Sequence, residues 1–106
     1  MKINFEKFKE KYKSRVIKGE FCVFGALIKH SPILKKKVAN HLASELAFPG
    51  RIMITTAFEN LFHVRYSKIY PLIAEIMSAN DCYKDKKEAF NKLETFLNRL
   101  GALKKC

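Results

Sequence analysis

The chain has no tryptophan, and its 106 residues include only three prolines, three cysteines and four glycines. Each shortage excludes something. Gly19, Gly25, Gly50 and Gly101 stand far apart, so no phosphate-cradling loop or dinucleotide fingerprint can be assembled from them. Cys22, Cys82 and Cys106 contain no C-x-x-C pair, and their odd number gives neither a disulfide framework nor a zinc knuckle. Cys22 lies in an apolar run and reads as a small core residue, Cys106 as an exposed thiol; a reducing, cytoplasmic setting suits them. Aspartate occurs only as Asp81 and Asp85, in one expected loop, and His30, His41 and His63 fall on separate segments without H-x-x-x-H spacing. No metal and no other cofactor is therefore expected. The longest apolar run, Phe21 to Ile28, has eight residues, against about 20 needed to cross a bilayer. No membrane partner is expected, and MKINFEKFKEK lacks the apolar stretch of a secretory signal.

What the chain does have is positive charge, net +11, unevenly spread. Residues 1–37 carry a net +8, residues 38–82 a net −1 and residues 83–106 a net +4. Basic ends thus flank a nearly neutral, apolar middle, which bears on partners and solubility rather than on fold. Lysine outnumbers arginine 17 to 4. Lysine is a point charge suited to phosphate, whereas the arginine fork reads guanine edges, so a nucleic-acid partner would be held by its backbone. AT-rich codon usage gives the same lysine bias, so the ratio carries less weight than the net charge.

The apolar spacing is helical nearly throughout. The stretch Ser31–Phe48 organises the reading: Ser31 is an N-cap, Pro32 occupies N1, and Pro49-Gly50 stops a helix over 32–47. On its wheel Val38, Ala39, Leu42, Ala43 and Leu46 share an apolar arc opposite Lys36, Lys37, Asn40, His41 and Ser44. Lys35, Lys36 and Lys37 then stand near its N-terminus, a mildly unfavourable place that water or an acidic partner would relieve. A first helix starts at Asn4, repeats Phe5, Phe8, Tyr12 and Val16, and closes at Gly19. Residues 20–30 are apolar nearly all round; their neighbours favour a buried helix over a strand, and Gly25 inside it implies close packing by another element. Further helices are expected over 51–64, from near Lys68–Tyr70 to Ala79 with Pro71 in the first turn, and from Asp85, as cap, to Gly101. The expected fold is all-α, a compact single-domain bundle of five or six short helices over 1–106 with a frayed basic tail at 102–106.

Function is less legible. Residues 32–64 have the lengths of a helix-turn-helix, but the exposed face of the second helix offers only Arg51, Thr55, Thr56, Glu59, Asn60 and His63. Two core helices joined by a Pro-Gly turn explain it better. No acid–base or nucleophile set is visible, and Cys22 lacks any local catalytic signature, so an enzyme is not expected. The candidate nucleic-acid-binding residues are Lys7, Lys11 and Lys18, Lys35, Lys36 and Lys37, Arg51, Lys86 and Lys87, and Lys104 and Lys105, provided that they converge on one surface. Tyr12, Tyr66, Tyr70 and Tyr83 are candidate stacking platforms for single strands. The leading expectation is a non-enzymatic protein that binds DNA or RNA through phosphates, as a regulator or accessory factor. The alternative is an interaction module, an adaptor or inhibitor docking on an acidic protein surface, with the apolar middle serving a partner or a homodimer. Exposed apolar surface on helix 51–64 or 68–79 would favour that alternative.

Overall fold

A computed structural model describes residues 1–81 and 86–104, in which seven helices pack around one core. In order they are α1 (Phe5–Ile17), α2 (Val23–His30), α3 (Pro32–Lys37), α4 (Ala43–Ala47), α5 (Arg51–Phe62), α6 (Tyr66–Asp81) and α7 (Lys86–Arg99). The all-α expectation holds, with one or two more helices than the sequence spacing indicates. Cys82, Tyr83, Asp85, Lys105 and Cys106, all named above, lie outside the described residues.

α1 forms as its sequence dictates. The Asn4 side chain accepts from the Lys7 amide at 3.2 Å, and Phe5, Phe8, Tyr12 and Val16 are all buried. Both α1 and α7 end in glycine with positive φ, Gly19 at 85° and Gly101 at 71°. Beyond each glycine an amide reaches back five residues, Glu20 to the Arg15 carbonyl and Ala102 to that of Leu97, and so satisfies the otherwise orphaned helix end. The two helices run antiparallel. Ile3 pairs with Leu103 in an isolated parallel bridge at one end, while Lys86 Nζ donates to the Val16 carbonyl at the other. The expected fraying at 102–106 is therefore corrected for residues 102–104: Ala102 is fully buried, and the Ile3 amide donates to its carbonyl at 2.8 Å.

Residues 20–30 contain a helix, and it is the inner one. Every residue from Val23 to Ile28 is buried, at roughly 1.5–3 kcal/mol for each large apolar side chain removed from water. Its N-terminal amides are satisfied from outside the helix. Asn80 of α6 accepts from Val23 at 3.2 Å, and the Cys22 thiol accepts from Gly25 at 3.4 Å. Cys22 thus serves as an N-cap as well as core, and its burial raises the thiol pKa.

The stretch Ser31–Phe48 corrects the sequence reading. Ser31 and Pro32 start a helix as expected, with Ser31 Oγ accepting from Leu34 at 3.3 Å, but α3 ends at Lys37. A turn over 38–42 follows, and α4 begins only at Ala43. A continuous helix over 32–47 would be about 24 Å long and would carry its far end away from α2. The break lets the chain return, so that the Ala47 carbonyl accepts from the Cys22 amide at 3.1 Å. The break also reverses the electrostatics of Lys35, Lys36 and Lys37. They form the last turn of α3, where cations are favoured by the helix dipole, so no partner is needed to relieve them. Leu42, expected on the apolar arc, is 70 % exposed.

One further boundary and one face assignment differ. α6 starts at Tyr66 rather than near Lys68–Tyr70, because the Glu59 carboxylate accepts from the Tyr66 amide at 3.1 Å and anchors an earlier first turn. Pro71 consequently lies inside the helix, where its ring nitrogen offers no hydrogen to the Ser67 carbonyl. Thr55, expected on the polar face of α5, is fully buried and donates to the Arg51 carbonyl at 2.6 Å.

Gly25 is where the layers meet most closely. A Cβ there would collide with the Ala47 carbonyl, its carbon lying only 2.8 Å away, and both clashing atoms belong to backbone. Gly25→Ala should therefore lower unfolding stability by about 1–3 kcal/mol, although alanine is intrinsically the better helix former by about 1 kcal/mol. Urea denaturation checks this; a neutral or stabilising effect would show that α4 does not press on α2.

Candidate nucleic-acid interface

The candidate cations do not all converge. Lys104 lies at the α1 N-terminal end, held through its backbone amide to the Ile3 carbonyl at 2.7 Å. Lys86 is at the opposite end of the same helix pair, and a 13-residue helix separates them by about 20 Å. Lys86 is also partly committed, since its ammonium covers a C-terminal carbonyl of α1 at 3.4 Å. Lys87 is exposed beside it on α7. Arg51, the first residue of α5, borders a cleft with Asp81 at the other end of α2 from His30. Lys37 lines a groove with His41, Met53 and Asn60, whereas Lys35 and Lys36 flank Pro32 and Ile33. Lys105 lies outside the described residues.

One group does come together, at the seam between α1 and the C-terminal half of α2. Lys7, Lys11 and Lys18 are exposed on α1, and on a helical wheel Arg15 shares their flank. From α2, Lys29 and His30 face the same flank. Arg15 Cζ lies 4.9 Å and Lys29 Nζ 5.7 Å from the centre of the Phe21 ring, so a single aromatic gathers cations from two elements. Lys11 Nζ lies 5.5 Å from the centre of the Tyr12 ring, and His30 packs edge-on against Tyr12 and Phe8 at 5.9 and 5.4 Å. Glu20 partly offsets this charge through a 3.4 Å contact with Arg15; both side chains are nearly half exposed, so the pair contributes at most about 1 kcal/mol.

The seam contains residues that the sequence reading omitted. Arg15 and Lys29 carry it as much as Lys7, Lys11 and Lys18 do, and His30 enters the sequence reading only in the search for metal-ligand spacing. The wheel of α1 does place Arg15 four residues after Lys11, which is a usable signal. That Lys29 meets it depends on how α2 crosses α1, which no local pattern encodes.

The aromatic residues beneath the seam are not stacking platforms. Tyr12 is 3 % and Phe21 2 % exposed, so no base can lie on them. Tyr66 and Tyr70 stack on each other at 5.6 Å with planes 20° apart, and both are half-buried; Tyr83 lies outside the described residues. What the seam presents to solvent is charge on flexible stems, suited to phosphate oxygens rather than to base faces.

Neither a family model nor a curated protein nor a solved structure matches the chain, so function has to be argued from its own residues.

His30 titrates abnormally. Partial burial, helped by the Lys11 ammonium, lowers its pKa below the ordinary histidine value, which is about 6.5. The sign follows from proton linkage. The unfolded chain binds the His30 proton more readily, so this contribution to stability is present above about pH 6.5 and is lost as pH falls through the lowered folded value. Thermal midpoints at pH 7.5 and 5.5 should show that loss in the wild type and less of it in His30→Gln, whose amide cannot be protonated in this range. An equal acid-side drop in both proteins would remove His30 as its source.

Proposed function

We propose that this chain is a non-enzymatic, basic protein that binds nucleic acid through phosphate contacts, with the α1–α2 seam as its centre. The observation that carries the reading is the gathering of Arg15 and Lys29 on one ring, alongside Lys11 and His30. Lys7 and Lys18 extend the same flank along α1. Like charges are held side by side there, and among the described residues Glu20 alone is ion-paired into the group. Such an arrangement favours a polyanion, and covered rings beneath it favour duplex over single strands. The role that fits is regulation or accessory support of nucleic-acid metabolism rather than base-specific readout.

Ile52, 69 % exposed on α5, favours a second reading in which the chain docks on a protein. An acidic protein surface would engage the same seam, with the lysines steering association. The two readings are not exclusive, because Ile52 belongs to the nearly neutral middle of the chain and the seam to its basic N-terminal part.

Fluorescence anisotropy with random-sequence duplex DNA, RNA and single-stranded DNA at ~50 and ~200 mM salt tests the reading. Binding should be submicromolar to low micromolar at the lower salt and fall by orders of magnitude at the higher. The triple variant Lys11→Ala, Arg15→Ala, Lys29→Ala should weaken binding at least about tenfold and reduce the log–log salt slope by about two to three, near 0.9 per lost contact. Lys68→Ala, on α6 and away from the seam, should stay within about twofold. Absence of binding at low salt, or binding indifferent to the triple variant while circular dichroism shows the fold intact, would overturn the assignment.

A further inference from the structure

The most exposed large apolar side chains occur close together in the chain. Leu42 (70 % exposed) precedes α4, Phe48 (56 %) follows it, and Ile52 (69 %) stands in the first turn of α5. Only the five residues of α4 separate the first two, a rise of about 7.5 Å. Phe48 and Ile52 are four residues apart, at most about 15 Å of chain. Beside Phe48 opens a cleft of about 240 Å³ walled by Phe24 and Met77, with Arg51 and Asp81 also lining it. Arg51 and Asp81 are exposed, and among the described residues neither forms an ion pair.

We propose that this corner is an interface between two copies of this chain, related by a two-fold axis, with Phe48 and Ile52 of each copy buried against the other. Charge selects the occupant. Leu42, Phe48, Arg51, Ile52 and Asp81 belong to residues 38–82, net −1 in a chain of net +11, and the cleft residues Cys22, Val23 and Phe24 add no charge, so two copies meet here with least repulsion. A polyanion or an acidic protein would gain nothing there and would be drawn to the basic seam instead. The cleft is also self-complementary in sign. A two-fold interface sets a patch against itself, so Arg51 of one copy can face Asp81 of the other, twice. Neither pairing requires a residue that the phosphate-binding reading uses at the seam. A dimer built this way presents two seams on one particle, which raises avidity for an extended polyanion without any new contact.

Salt separates this association from polyanion binding. Two copies each carrying +11 repel at long range, so added salt screens the repulsion while the apolar burial persists, and the dimer tightens. Phosphate binding responds in the opposite direction.

Sedimentation equilibrium of the full chain in reductant, over about three decades of concentration spanning the micromolar range, tests the proposal. Reductant prevents a disulfide from imitating the contact. The expected result is a reversible monomer–dimer equilibrium that is tighter at ~500 than at ~50 mM salt. Ile52→Glu should weaken it at least about tenfold while leaving the helical circular dichroism unchanged, and the thermal midpoint unchanged at concentrations where the wild type is monomeric. Arg51→Glu should also weaken it, and Arg51→Glu with Asp81→Arg should restore it. Each glutamate lowers the net charge and so reduces repulsion, which means that a weaker dimer cannot be an effect of overall charge. A chain that stays monomeric throughout the range overturns the proposal, as does a dimer indifferent to both single substitutions. A monomeric chain whose capture of a different protein is abolished by Ile52→Glu would overturn it too, and would assign the corner to that partner.

Discussion

Everything in this fold is arranged about the backbone-to-backbone contact between Gly25 and Ala47. α2 is buried at every residue from Val23 to Ile28, so its neighbours must approach from several sides. On one side the approach is as close as two main chains allow, which only a residue without a Cβ permits. That contact fixes where α4 lies, and α4 fixes where the chain must turn after α3. It also gives α2 two different ends. At its N-terminal end Cys22 and Asn80 accept from its first amides and apolar side chains border a cleft. At its C-terminal end Lys29 and His30 meet the flank of α1.

Much of this was legible in the sequence, for a specific reason. Where one helix face meets the core and the other meets water, local spacing carries the information. α1, α6 and α7 show it: Phe5, Phe8, Tyr12 and Val16, then Ile69, Ile73, Ile76 and Met77, then Ala89, Phe90, Leu93, Phe96 and Leu97 are buried as their periodicity implies. The caps at Asn4 and Ser31 and the glycine endings are equally local. The failures are all non-local. Nothing in Ser31–Phe48 itself says that residue 47 must return to residue 22, so a wheel extended through the turn put Leu42 in the core. Glu59 starts α6 from another helix, and Pro71 reads as a start signal only when that is ignored. The docked end at 102–104 depends on Ile3, nearly the whole chain away.

The charge was legible in amount and only partly in place. The sequence shows a basic beginning and end; the antiparallel pairing of α1 and α7 then distributes those cations to both ends of one helix pair. Several of them also complete local structure. Lys2 donates to the Gly101 carbonyl at 2.6 Å and Lys86 to that of Val16, each placing a cation at a helix C-terminus, where the dipole favours it. The seam stands apart because its cations cover aromatic rings from outside and leave their charge facing solvent.

The bridge between Ile3 and Leu103 has a consequence for how the molecule is made. Lys2 and Gly101 are 99 positions apart, so the contact that fixes the beginning of α1 closes a loop nearly as long as the chain. Phe8 packs on Phe90 of α7, so this part of the α1 stripe finds its neighbour only after the residues between them have been made. A nascent chain can build the α5–α6 hairpin early and can set Tyr12 and Phe8 against Phe21 and His30, but the part of the α1 stripe that meets α7 stays uncovered until α7 is made. The lysines that alternate with that stripe keep the waiting segment hydrated and mutually repelling, so the charge that governs partner choice in the finished protein also protects its unfinished form.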